Sequence, residues 1–570
     1  MNSMKLKFLF LLLVCSLILA SSTQASPGAP SDWLPANQGV DYQEFYLSVP
    51  DGPIKVFAAR MDRHNQAVIL ESGIAQGKVV WKYEDGLPTN LEPVSRIAAR
   101  YDQAISFWGE QWGGRNRVAV AINGSYYNGW IGEITQGMVH SGWYANRFWD
   151  GENNSGFAWK FDRSAFIGGC VYHPEDKQIV VFQDGNTMEI DDLNTPRGDD
   201  VLILYTPQYD SNTNTPPDMF DVEVVVEMSR PTMLLPSQEL ARGTVREIRK
   251  SLGMTNIQFD QVVLSAQGEA RRKLLDNVQV GDQIEIYQKI KNCDYEQVKP
   301  DWTRTFASVG MGFHFLKQGV IQSFPDNDGA LQRHPRTAIV FNDDYMYFMV
   351  VDGREENVGI SIGITIDELA NFAKDTLGAT DGVSLDGGGS STMVVNGVVK
   401  NNPSDPCNLT SEVDLQSDGP LDQRKALLGI ENIDSEITAL EGCERYVANS
   451  MMMVVVEPMI RSAAFAPGDP VRTIFPTNMR LGPGSNYAVF AVIPADSEGV
   501  VMEHTNDLNG VLAKGDYWWK MDFGGTVGWI SEQSQTPDPS LTPEPSVTPE
   551  PSPTQDPSLQ NFTFINLIQR

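Results

Sequence analysis

The sequence predicts an α+β protein, with a layered, mixed-sheet core that carries a β-rich insert and a small all-β unit after it. Three observations predict this class. First, from about Tyr46 short β-rich runs alternate with turn signals, as in Ile54-Lys55-Val56-Phe57, Ala67-Val68-Ile69-Leu70 and Val118-Ala119-Val120-Ala121-Ile122. Second, helical periodicity is confined to a few stretches. Residues 91–104 place Val94, Ile97 and Ala98 on one face behind Pro93, and residues 366–377 line up Leu369, Ala370, Phe372 and Ala373. Third, residues 470–533 form a compact stretch rich in Gly, Val and aromatic side chains, set off by Pro458 and Pro467.

The 570 residues exceed what one hydrophobic core serves, so several domains are expected. The core is expected over 46–457, with the β-rich insert at 222–290 and the second unit at 470–533. Residues 534–560 repeat Thr-Pro-Glu-Pro-Ser-like units, a Pro/Ser/Thr-rich composition that builds no core and stays extended and disordered. At the other end, Lys5 and Lys7 precede an apolar run over 8–20 and then small residues up to Ala25. That order is a secretory signal peptide at 1–25. The expected location is secreted or extracytoplasmic, in the cell envelope, with no transmembrane segment after cleavage.

Lys and Arg number 43 against 73 Asp and Glu, a net charge of -30. This excludes nucleic acid or an anionic membrane as the main partner. A small phosphate ester stays open, since one or two buried arginines suffice to hold it. Past the leader, Cys170, Cys293, Cys407 and Cys443 allow two disulfides in an exported chain. All three pairings are open, and Cys407 with Cys443, which bracket one polar segment, is favoured.

Chemistry concentrates in five places. In Leu385-Asp386-Gly387-Gly388-Gly389-Ser390-Ser391-Thr392 a strand ends on a carboxylate. Three glycines there permit a tight turn whose amides form an anion nest. Asn396-Gly397 just beyond reads as a type I′ hairpin turn. In His334-Pro335-Arg336-Thr337 an arginine opens an apolar strand and needs an anionic partner, carboxylate or phosphate. Asn123-Gly124-Ser125-Tyr126-Tyr127 ends another strand with tyrosines suited to a sugar face. Asp352-Gly353-Arg354 and Pro403-Ser404-Asp405 complete the set.

Together, and in this order, these five motifs resemble the phosphodiester glycosidase family, with its N-acetylglucosamine-1-phosphodiester α-N-acetylglucosaminidase-like catalytic domain. The resemblance covers roughly residues 46–456. Ser125-Tyr126-Tyr127 stands where Gly-Phe-Phe is usual, and residues 406–444 are long enough for a disulfide-closed flap. The resemblance implies an exported hydrolase of sugar-1-phosphodiester bonds, acting on N-acetylglucosamine or a related α-linked sugar of a glycopolymer. The alternative is a non-catalytic exopolysaccharide-binding or biosynthesis factor on the same fold.

A phosphodiester leaving group is a weak base and needs little protonation, so one carboxylate and a cationic clamp could suffice. Asp386, Arg336, Asp352 and Asn123 are the expected catalytic set. Gly124, Tyr126, Thr337, Gly387, Gly388, Gly389, Ser390, Ser391, Thr392 and Asp405 are expected around the substrate. No cofactor is required by the sequence. A divalent cation on Asp352, Asp386 or Asp405 stays open, although no metal-spaced cluster supports one.

Residues 470–533 resemble a bacterial SH3 domain through Asn478-Met479-Arg480-Leu481-Gly482-Pro483, Tyr517-Trp518-Trp519 and Gly528-Trp529-Ile530. The resemblance implies an SH3-like barrel that binds cell-wall peptide or glycan along an aromatic groove.

Overall fold

In two sheets of the core the central strands are buried at nearly every position, so each sheet is covered on both faces. The computed structural model describes residues 33–84, 87–153, 155–234, 241–355, 359–405 and 443–537. The expected leader and nearly all of the expected tail lie outside them. The chain is mostly β-sheet with few helices.

The first core sheet has eight strands. At its centre Gly52–Asp62, Tyr345–Val351, Arg336–Phe341 and Asp381–Ser384 lie side by side, all antiparallel. Every residue of Arg336–Phe341 is buried, which explains its unbroken apolar run. Phe57, Ala59, Ile339, Phe348 and Val350 face the second sheet. Val56, Ala58, Ala338, Val340 and Met349 face the helix Ile366–Asn371 through Ile366, Leu369 and Ala370. That helix begins with a capping box between Thr365 and Glu368 and continues as a π-turn over Phe372–Thr376.

The second core sheet runs Met393–Val395, Gln111–Asn123, Asn449–Glu457 and Val68–Ile74. The hairpin at Asn396-Gly397 is present, with φ of 48° and 77°, as a type I′ turn requires. The helix Val94–Tyr101 buries Val94, Ile97 and Ala98.

The β-rich insert is larger than its sequence signals mark. Asp221–Met228, Arg242–Lys250, Gln261–Gln267 and Gln283–Gln288 are four strands of an eight-stranded sheet. The other four come from residues 178–205. Its Asp192–Leu193 and Leu202–Tyr205 pair is parallel, which makes this middle sheet mixed. A disulfide joins Cys170 to Cys293 beside it. Cys443 is also disulfide-bonded, and Cys407 lies outside the described residues.

The C-terminal unit is an eight-stranded sheet whose pairing runs from edge to edge. The barrel implied by the SH3 resemblance is not closed among the described strands. Trp518, Trp519 and Trp529 are all at most 5% exposed. They pack as core and do not line an open groove.

This unit is docked on its neighbours. Trp529 packs edge-on against Phe259 of the middle sheet at 5.6 Å, and Phe259 packs against Trp112 of the core at 5.1 Å. Lys520 bonds Glu227 at 3.1 Å, and His504 bonds Asp260 at 2.8 Å with both side chains fully buried. Burial pushes the Glu227 carboxyl up, but Lys520, Thr505 and Arg246 outweigh it and hold the group at about 2. Replacing Lys520 by Met leaves the buried Glu227 carboxylate with only Thr505 and the half-exposed Arg246 as partners. Lys520→Met should cost about 3 kcal/mol, in a single unfolding transition monitored by calorimetry. Two resolved transitions, with only one displaced, would mean that residues 470–533 fold apart from the rest.

Candidate active site

Six strand ends meet at one end of the two core sheets. Register pairs Arg336 with Val351, Ala338 with Ser384, Met393 with Ile122, and Ser450 with Asn123. The residues just past those ends, Asp352, Asp386 and Gly124, therefore converge. A backbone bond stitches the sheets together here, the Asp386 amide donating to the Gly124 carbonyl at 3.0 Å, while the Leu385 amide donates to the Thr337 carbonyl at 2.8 Å and extends the first sheet's own ladder.

Asn123 is fully buried at the junction. Its Nδ2 donates to the Asp386 carbonyl at 2.8 Å, and its Oδ1 accepts from Thr337 Oγ1 at 2.7 Å and the Thr392 amide at 3.2 Å. With its oxygen doubly engaged, it positions the Asp386 turn. The neighbouring Gly124 packs so closely on Asn449 that an added Cβ would fall 1.8 Å from Asn449 Oδ1. Only glycine fits there.

Asp386 is partly exposed. Burial raises its carboxyl above the ordinary range, opposed by Ser390, by the charge of Arg445 and by the Gly387 amide. The glycine amides do not form the nest expected from sequence. The Gly388 amide donates to Pro335 at 2.9 Å, and that of Gly387 serves Asp386 itself. Gly388 has φ of 63°, and an added Cβ there would lie 3.0 Å from the Arg354 guanidinium. Arg354 thus overlies the turn. The Ser391 and Thr392 hydroxyls are buried without a protein partner.

Arg336 is 8% exposed and has no carboxylate partner among the described residues. Its Nε donates to the Ile364 carbonyl at 3.2 Å, and one terminal nitrogen donates to Gly329 at 2.5 Å and Gln332 at 2.9 Å. Burial lowers its pKa, and the charge that opposes this comes from Tyr126. Tyr126 is 39% exposed, and its hydroxyl feels the charges of both Asp386 and Arg336.

Two expected site residues are engaged by neighbouring protein groups. Asp352 is 2% exposed and accepts from Asn401 Nδ2 at 3.0 Å and the Asn402 amide at 3.1 Å. Asn401 in turn holds the Ser391 carbonyl and the Met393 amide. Asp352 therefore braces the Asp386 loop from behind. Asp405 accepts two bonds from Arg445, at 3.0 and 2.7 Å, beneath Gly389. It acts through Arg445, whose charge reaches Asp386. Sequence reasoning passed over Arg445, which carries no motif and sits 40 residues from its partner. Among the described residues no three His, Cys, Asp or Glu side chains gather as a metal site.

Residues 242–413 match the family model of phosphodiester glycosidases. That span holds Arg336, Asp352, Asp386 and Asp405, whereas Asn123 and Arg445 lie outside it. No curated protein matches the chain. Among solved structures it is similar to a hypothetical protein from Synechocystis, with 14% identity and a TM-score of 0.43 over 75% of this chain. The match spans 64% of that protein's length. It is also similar to a protein of Burkholderia pseudomallei, with 18% identity and a TM-score of 0.39 over 71% of this chain and 74% of that one. A third is the zebrafish N-acetylglucosamine-1-phosphodiester α-N-acetylglucosaminidase catalytic domain, auto-inhibited by its pro-peptide. It shows 13% identity and a TM-score of 0.32 over 76% of this chain and 86% of that one.

Burial drives the Asp352 carboxyl up to about 7, against the pull of Asn401 and Asn402. The folded protein then holds a proton that the unfolded chain has released, so stability falls as pH rises from about 4 to 7. The slope reaches at most about 1.4 kcal/mol per pH unit. Asp352→Asn should flatten the slope in that window, measured by urea denaturation at stepped pH. An unchanged slope would assign it to other groups.

Proposed function

We propose that this protein is a hydrolase of sugar-1-phosphodiesters, acting on N-acetylglucosamine or a related α-linked sugar. The observation that carries the reading is Arg336, a buried guanidinium that has no carboxylate partner among the described residues and that shares Tyr126 as an electrostatic neighbour with the partly exposed Asp386. An uncompensated buried cation is costly, and a phosphate would neutralise it. The family match over 242–413 supports the same class.

In this reading the phosphate lies against Arg336, with Arg354 above the glycine turn, and the sugar ring lies on Tyr126. Asp386 acts at the anomeric carbon as nucleophile or base, and the phosphate departs without needing a strong general acid. No helix among the described residues is long and apolar enough to cross a membrane. The leader-like N-terminus and the Cys170–Cys293 disulfide support export to the cell envelope, where a glycopolymer is the natural substrate class. In the same reading the SH3-like unit, docked as it is, serves wall contact and leaves the chemistry to the core.

The test is turnover of a soluble N-acetylglucosamine-1-phosphodiester, with and without EDTA. Asp386→Asn should lower kcat by at least about 100-fold, some 2.7 kcal/mol, with the circular dichroism unchanged. Retention of more than a tenth of wild-type kcat would remove Asp386 from the chemistry. Arg336→Lys keeps the charge but loses the planar fork, and should reduce kcat/KM by at least about tenfold. If the folded Arg336→Lys protein is fully active, the arginine serves only to hold its three backbone carbonyls. Binding of the phosphodiester without any turnover favours the exopolysaccharide-binding alternative.

A further inference from the structure

We propose that His334 is a further anion-binding group of the Asp386 centre, one that takes up a proton as the phosphodiester binds, so that the site holds its substrate more tightly as the medium turns acidic. The proposal rests on the reading of that centre as a phosphodiester site. His334 is bridged to Ile364, and Arg336 opens a strand two residues on. In extended chain side chains two apart share a face. The glycine turn packs on this segment. The Gly388 amide donates to the Pro335 carbonyl at 2.9 Å, and a Cβ on Gly387 would lie 2.9 Å from the same oxygen and 3.9 Å from Arg336 Cδ. Arg354 reaches the same turn, since a Cβ on Gly388 would lie 3.0 Å from its guanidinium. Gly353 beside it packs on Pro335, where a Cβ would lie 2.9 Å from the ring nitrogen. Three basic side chains therefore come to one short stretch of backbone.

His334 is partly exposed, and its ring makes no hydrogen bond or ion pair among the described residues. Burial, then the charges of Arg336 and Arg354, hold its imidazole below the ordinary histidine range. Neither arginine has a carboxylate partner among the described residues. The other charged groups around this segment are engaged or belong to the site itself. Arg333 is paired with Glu368 and Asp51. Asp352 accepts from Asn401 and Asn402 behind the turn. Asp386 is part of the turn, and Tyr126 of the second sheet feels Asp386 and Arg336. A third base beside two arginines protonates at a cost, and an arriving anion removes that cost.

A phosphodiester keeps a single negative charge through the neutral and mildly acidic range, so any pH dependence of its binding there comes from the protein. Its anion favours the imidazolium form of His334, which donates from both ring nitrogens. The free protein holds the ring neutral until the pH falls below its lowered range, whereas the complex keeps it protonated to higher pH. Binding therefore takes up a proton. Affinity rises as pH falls through the range of the bound histidine, and it levels off once the free protein is protonated as well. Each unit by which the anion raises the histidine's pKa corresponds to about tenfold in affinity.

The test is made on the full chain carrying Asp386→Asn, which stops turnover in the proposed reading and removes the one carboxylate of the turn that would itself titrate. The methyl diester of N-acetylglucosamine 1-phosphate is titrated into it by calorimetry from about pH 8 to about pH 5, in two buffers of different ionisation enthalpy. The expected result is binding at least about tenfold tighter at the acidic end, with net proton uptake. Adding His334→Gln should remove both the slope and the uptake. Adding His334→Lys, which carries a fixed charge, should give the acidic-end affinity at every pH, a rescue that a merely structural histidine would not allow. Should one of these variants fail to fold, the other carries the comparison. A slope that survives His334→Gln belongs to Asp352 and overturns the proposal. Binding that is flat with His334 in place also overturns it, and leaves the phosphodiester reading standing. No binding at any pH overturns both.

Discussion

One buried amide ties the candidate site together. Asn123 ends a strand of the second sheet, yet its hydrogen-bond partners are Thr337 and Asp386, on or just past strands of the first, and Thr392 in the turn that leads back to the second. A fully buried side chain with its oxygen doubly satisfied is rigid, because each bond it would lose has no water to replace it. The positions of the Asp386 carboxylate and of the Thr337 backbone that supports Leu385 both follow from this junction. Asp352 repeats the device one layer behind, through Asn401, and braces the far side of the same turn.

The two arginines nearest the turn differ in a way that assigns their roles. Arg445 is engaged by Asp405, and the pair sets the local potential at Asp386. Arg336 is buried and, among the described residues, is bonded to three carbonyls and to no carboxylate. Backbone dipoles orient a guanidinium but do not neutralise it, so Arg336 is the group whose environment an anionic ligand would complete. The acidity of the chain as a whole does not oppose this, because the effect is local and enclosed.

Signals local in sequence were legible. Asn396-Gly397 announced its turn, the run after Arg336 announced a doubly covered strand, and Pro93 placed the start of a helix. Asp386 and Arg336 are both legible as polar groups at the end of an apolar strand. What sequence hid was long-range. The Asp405–Arg445 pair joins segments 40 residues apart, the Cys170–Cys293 bridge spans 123 residues, and the first half of the middle sheet carries too weak an alternation to read as strands. The glycine nest failed for a related reason. Its amides were counted as free, and the fold spends one on Pro335 and one on Asp386. The C-terminal tryptophans looked like a groove because sequence shows aromatic residues without showing what covers them.

The central claim is that the site cleaves the bond between the sugar carbon and the phosphate oxygen. The most direct measurement is turnover of an N-acetylglucosamine-1-phosphodiester in 18O-labelled water, with the position of the label read by mass spectrometry and 31P NMR. The account predicts 18O on the anomeric hydroxyl of the released sugar and none in the phosphate. Label in the phosphate would mean attack at phosphorus, making the protein a phosphodiesterase with Arg336 and Asp386 in other roles, and would contradict the account.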